Sequence, residues 1–298
     1  MSEPLRRRLR GALLRGLLPV VSGALAWLPW RALLAVGSGL GLLLYAVNGR
    51  ERRRMHEHLA IAFPEMGADE RRRLARLTAR HHGMNLAEDL HLLVRGPGRV
   101  VPRIDVVGWE HVEAARTAGR PILFPTGHCG NWELLGAVLW AHRMAVYGMA
   151  RGLQHSVLQD ALVRLRESMG GRTIVRGARG GIRLLRRVVR GEAALVILID
   201  QDTKVDGVWV PFFGRPAYTP TAAAELAARH DMAVLPAFFE RLGDGTHRCT
   251  FQEPLSLPDD LTAATAALTE TIERQIRRVP AQWVWMHRRW RRQPPDGS

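Results

Sequence analysis

Pro121-Ile122-Leu123-Phe124-Pro125-Thr126-Gly127-His128-Cys129-Gly130-Asn131-Trp132-Glu133-Leu134-Leu135 opens as an apolar run of strand length, breaks at two glycines, and resumes as the start of a helix. Such a strand, turn and helix is one repeat of an α/β sheet. Working outward, β-rich runs recur at Ile104 to Val107, Met144 to Met149, Arg172 to Val175 and Ala194 to Ile199. Amphipathic helices are expected at 109–118, 131–142, 156–169 and 179–190, then at 219–229 and 260–278. Further strands are expected at Ala233 to Arg241 and His247 to Phe251. The alternation predicts an α/β fold on a central mixed, largely parallel sheet flanked by helices.

Ligands of open α/β sheets gather beyond the carboxyl ends of the strands. Three strand ends carry reactive groups: the turn from Thr126 to Glu133, then Arg151, then Asp200-Gln201-Asp202. His128 and Glu133 are five residues apart, about 140° on a continuous helix, and would not meet there. They converge if Asn131 is the helix N-cap, with His128 in the turn before it and Glu133 in the first helical turn. The helix dipole keeps a carboxylate there charged. Glu133 then fixes the tautomer of His128, whose other nitrogen takes a proton from an alcohol as general base. Backbone N–H groups at Gly130 and Asn131 are expected to hold the oxyanion of a thioester under attack.

The 298 residues carry 43 basic and 28 acidic side chains, a net charge of +15, and Lys204 is the only lysine. Nucleic acid, anionic lipid and an acidic carrier protein all answer such a charge. Its distribution favours an anionic membrane surface, because arginines bracket an apolar N-terminal region at Arg6 to Arg8 and Arg10 and again at Arg50 and Arg52 to Arg54. Nucleic acid is disfavoured on the same ground. Within that region the uncharged run Ala32 to Val47 would cover roughly 24 Å as a helix, short of a ~30 Å hydrocarbon core. A re-entrant hairpin, an interfacial helix and a tilted span all remain open. Apolar sequence continues past Ala24-Leu25-Ala26, which argues against a cleaved signal peptide. The resulting division is a membrane-associated segment at 1–48, a helical connection at 49–100, a catalytic domain at 101–292 and a polar tail at 293–298.

Cys129 and Cys249 cannot build a disulfide framework, and neither a P-loop nor a His-Glu-x-x-His pattern occurs. Neither a metal nor a cofactor beyond an acyl donor is expected. Cys129 reads as a small buried residue, and His81, His82, Asp89 and His91 read as solvated helix positions. Arg166 and Arg164 lie at opposite edges of the apolar face of their helix, and periodicity does not separate them. Asp200 reads as either an orienting carboxylate or a cap.

The run Gly127 to Glu133 resembles the His-x4-acid block of the lysophospholipid acyltransferase superfamily, and more narrowly that of the late acyltransferases of lipid A biosynthesis. Arg151, Arg166 ahead of Gly170, Asp200-Gln201-Asp202, Val210-Pro211-Phe212-Phe213-Gly214 with Thr219, and Pro280 to Trp290 match that family in order. The chain has Ala150-Arg151-Gly152 where the family often has Tyr-Arg-Pro. The resemblance implies a glycerolipid acyltransferase-like sheet and transfer from an acyl-acyl carrier protein or acyl-CoA to a hydroxyl of a membrane lipid, a lipid A precursor first. It implies His128 and Glu133 as catalytic, with Arg151, Arg166, Asp200 and Asp202 binding substrate or supporting the site. It also implies the bacterial inner membrane, with the catalytic domain on the cytoplasmic side. Trp283, Trp285 and Trp290 with their arginines are expected at lipid headgroups.

Overall fold

The computed structural model describes residues 3–150, 157–175 and 180–294. Four helices come first: α1 (Glu3–Ala26), α2 (Trp30–Val47), α3 (Gly49–Ala62) and α4 (Ala68–Arg95). The α/β body follows with β1 (Ile104–Val107), α5 (Trp109–Thr117), β2 (Ile122–Thr126), α6 (Leu134–Ala141), β3 (Val146–Ala150), α7 (Val157–Ser168), β4 (Arg172–Val175), α8 (Gly181–Val189) and β5 (Ala194–Leu198). A hairpin of β6 (Gly207–Phe212) and β7 (Arg215–Pro220) precedes α9 (Ala222–Arg229), β8 (Ala233–Val234), β9 (Ala237–Arg241), β10 (His247–Phe251) and α10 (Leu261–Arg278).

Five strands form a parallel sheet in the order β4-β3-β5-β2-β8. Every residue of β2 is buried, which is why Ile122-Leu123-Phe124 reads as a continuous apolar run rather than an alternating one. A second sheet runs β1-β10-β9, with β1 parallel to β10 and β10 antiparallel to β9. The expected strand Ala233 to Arg241 is therefore two strands in two sheets, split at Leu235-Pro236, because a proline cannot donate to a ladder. The sequence reading also missed the hairpin at 207–220, and α9 starts three residues later than expected.

The N-terminal apolar region is a helical pair broken near Pro29. Helix α2 is 18 residues long with a mean hydropathy of 1.5, enough by length and composition to cross a membrane. It turns Leu33, Leu34, Gly37 and Gly41 toward α4, while Val36, Leu40, Leu43, Leu44 and Val47 stay exposed. The helices touch backbone to backbone: a Cβ on Gly83 would lie 2.0 Å from the Gly37 carbonyl oxygen and 2.5 Å from the Gly41 nitrogen. Gly83→Ala is expected to force α2 and α4 apart and to destabilise the chain by about 1–3 kcal/mol, read as a lower denaturant midpoint. A midpoint equal to wild type would show that this seam does not hold the helices.

Helix α4, inside the stretch read as a connection, passes beneath the catalytic-domain turn. Its His81, His82, Asp89 and His91 do not lie on a solvated face. His82 and Asp89 are enclosed, and burial holds the His81 and His82 imidazoles down at about 4. Trp283 and Trp285 likewise belong to the core, fully buried with rings 4.6 Å apart, rather than to a headgroup surface. Cys129 is buried as expected.

Candidate active site

Register places the reactive groups. Thr126 in β2 pairs with Leu198 in the adjacent parallel β5, so the residues two positions on, His128 and Asp200, leave the sheet side by side. Nδ1 of His128 lies 2.7 Å from Oδ1 of Asp200, and the His128 backbone N–H donates to Oδ2 at 2.6 Å. Trp283 adds an indole N–H to Oδ2 at 2.7 Å. Burial alone would push the Asp200 carboxyl up, but the His128 imidazole, the nearby His287 and the His128 backbone N–H hold it well below the usual carboxylate range. Asp200 is thus an anion, and the Nδ1 of His128 carries its proton toward it. The other ring nitrogen, Nε2, keeps a lone pair.

Glu133 does not orient His128. Its Oε1 accepts from Arg166 Nη2 at 2.6 Å and from the Trp132 indole at 3.1 Å, and its Oε2 accepts from Arg166 Nε at 2.9 Å. Trp132 stands against both residues, its ring edge-on to His128 at 4.7 Å and its N–H on Glu133. The predicted convergence fails because a nearer carboxylate serves the imidazole and a nearer cation serves Glu133. Helix packing settles the arginine question that periodicity left open, since Arg166 reaches the site while Arg164 is exposed.

Asn131 is not an N-cap. Helix α6 begins at Leu134, and the Asn131 amide instead donates to Glu88 at 3.0 Å and Asp89 at 3.1 Å on α4. Glu88 is fully buried between Arg241 and His247; burial pushes its carboxyl up, but those two partners pull it down to about 2. Burial, and after it the nearby Glu133, push the Asp89 carboxyl well above the usual aspartate range. Asn85 donates to the Gly130 carbonyl at 2.6 Å, so α4 pins both residues of the turn. Gly130 has φ +59°, and a Cβ there would meet the Phe239 carbonyl oxygen at 2.3 Å, so only glycine fits.

The Gly130 N–H donates to the Gln282 carbonyl at 2.9 Å and is not free for an oxyanion. Asp202 meets Arg292, whose backbone N–H donates to it at 3.0 Å, so this carboxylate fastens the C-terminal segment instead of facing His128. Arg151 lies outside the described residues. Among the described residues, no group of three His, Cys, Asp or Glu side chains has the arrangement of a metal site.

His128, Trp132, Glu133, Arg166, Gln201 and His287 line one end of a cavity of about 460 Å³. Leu135, Val146, Met149, Leu162, Met169 and Val196 supply apolar wall to the same cavity. The sequence alone gives Gln201 and His287 no role beyond their place in Asp200-Gln201-Asp202 and in the stretch from Pro280 to Trp290. The signal that would have found them is register: Gln201 follows Asp200, and the segment bearing His287 bridges to the turn through Trp283 and Cys129.

An imidazole backed by a buried carboxylate, beside a cavity at the carboxyl edge of a parallel sheet, is an arrangement that can move a proton. Residues 10–292 match the family model described as bacterial lipid A biosynthesis acyltransferase, and the chain belongs to that family of O-acyltransferases. It is 26% identical to a phosphatidylinositol mannoside acyltransferase of Mycolicibacterium smegmatis, covering 83% of this chain and 82% of that one. It is also 26% identical to the lipid A biosynthesis lauroyltransferase of Escherichia coli (90% and 88% covered) and 27% identical to the palmitoleoyltransferase of the same organism (91% and 89%).

Proposed function

We propose that this enzyme moves a fatty acyl group from a thioester, either acyl-acyl carrier protein or acyl-CoA, to a hydroxyl of a sugar-bearing membrane lipid, with a lipid A precursor as the first candidate. The observation that carries the reading is the Asp200–His128 pair, whose imidazole lines a cavity with extensive apolar wall. Nε2 of His128 takes the hydroxyl proton while the oxygen attacks the thioester carbonyl. The acyl chain lies along the Leu135, Leu162 and Met169 walls. Collapse of the tetrahedral intermediate breaks the C–S bond, and the imidazolium returns its proton to the departing thiolate.

Arg166, fixed by Glu133, turns its remaining N–H groups to the cavity and supplies positive charge to the carbonyl oxygen or to an anionic group of the acceptor. Glu133 therefore acts through Arg166. The exposed apolar face of α2 and the surrounding arginines suit an anionic membrane surface, from which the acceptor is drawn.

The purified chain in detergent micelles, given dodecanoyl-CoA or the corresponding acyl carrier protein with lipid A precursor, phosphatidylinositol mannoside or lysophospholipid, is expected to yield an ester of the sugar lipid by mass spectrometry. His128→Ala is expected to yield none. Acylation of lysophospholipid alone would refute the sugar-lipid assignment, and product from His128→Ala would refute the base.

A further inference from the structure

The basic nitrogen of His128 already has a partner. The side-chain nitrogen of Gln201 lies 3.1 Å from it, and it rests against the His287 ring, 2.6 Å from Nδ1 and 3.2 Å from Nε2. The His287 ring stands edge-on to that of His128 at 4.5 Å with an interplanar angle of 86°. The proton count is consistent throughout. With Nδ1–H of His128 donated to Asp200, Nε2 accepts, and the Gln201 amide has a proton for that lone pair while its nitrogen is held against the His287 ring. Burial and the neighbouring His128 hold the His287 pKa well below its ordinary value. All three side chains line the cavity.

We propose that Gln201, anchored by His287, caps the basic nitrogen of His128 until an acceptor hydroxyl displaces it, and that this exchange favours a lipid hydroxyl over water. This rests on His128 being the base, as proposed above. A lipid brings binding energy from its sugar and chains, which can move the amide off Nε2. Water brings none and competes with a donor tethered in place. Were water to take the site, its oxygen would form the new bond to the acyl carbon. The C–S bond would break and the proton would pass through His128 to the thiolate, leaving a free fatty acid and a thiol.

The test is the full chain in detergent micelles with dodecanoyl-CoA, measured with and without the glycolipid acceptor. Gln201→Ala is expected to raise the ratio of hydrolysis to transfer by roughly threefold to tenfold, the worth of one neutral hydrogen bond. His287→Phe keeps a ring against His128 but frees the amide, and is expected to raise the ratio less. Gln201→Glu sets a carboxylate beside Nε2 and is expected to move the acid limb of the kcat/KM pH profile upward by about one unit. An unchanged ratio in Gln201→Ala, or a Gln201→Glu variant that is slower without any displacement of the limb, overturns the cap. A His128→Ala protein that still transfers and hydrolyses fails in a different way, by removing the base itself.

Discussion

Asp200→Asn is expected to lower kcat by about 10³- to 10⁴-fold with little change in fold. The size follows from where the protons must go. Two donors, the His128 backbone N–H and the Trp283 indole, converge on Oδ2 of Asp200. In the variant the single amide oxygen must satisfy them, which turns the NH₂ group toward Nδ1 of His128. That nitrogen then accepts, Nε2 carries the proton, and the imidazole can no longer take one from an alcohol. Because His128 and Asp200 act as one unit, Asp200→Asn combined with His128→Ala is expected to be no slower than His128→Ala alone. A single variant within tenfold of wild type would show that the imidazole is oriented by some other group.

The same substitution has a signature in stability. The Asp200 carboxyl is depressed in the folded chain, so its contribution is complete above the ordinary aspartate value of about 3.9 and is lost as the pH falls toward the lower folded value. Urea midpoints of the wild type are therefore expected to fall more steeply below about pH 4 than those of Asp200→Asn. Parallel curves would mean that Asp200 does not titrate with folding.

Strand periodicity carried the parallel sheet, because buried strands announce themselves as short apolar runs between helices. It also put His128 and Asp200 at strand ends. What it could not carry was which side chains meet, since that depends on the order of strands in the sheet. Only the β2–β5 pairing brings Asp200 to His128, and nothing local to residues 194–202 reveals which strand is the neighbour. Glu133 was near in sequence and was assigned to His128 for that reason, whereas Arg166, 33 residues on, held it in space. Asn131 shows a parallel error. Its position reads as a cap, but its NH₂ is turned to Glu88 and Asp89 on α4 and the helix begins only at Leu134. The tryptophans failed for a third reason: amphipathic residues at a chain end look interfacial until a core is seen to need them.

Arg166→Ala is expected to destabilise the chain by about 3 kcal/mol and to lower its melting temperature by roughly 5–10 °C. It leaves the buried Glu133 carboxyl without its guanidinium partner, close to Asp89. Arg166→Lys is expected to rescue only part of this, because an ammonium cannot span both carboxylate oxygens as the guanidinium does. The informative protein is the double variant Arg166→Met with Glu133→Gln. It removes both charges while keeping most of the volume, so stability is expected to return to within about 1 kcal/mol of wild type. If Arg166 supplies charge to the reacting carbonyl, kcat of that refolded protein stays at least about 100-fold down. Recovery of activity together with stability would make the pair a purely structural clamp, and the electrostatic step would then fall to the backbone at the start of α6.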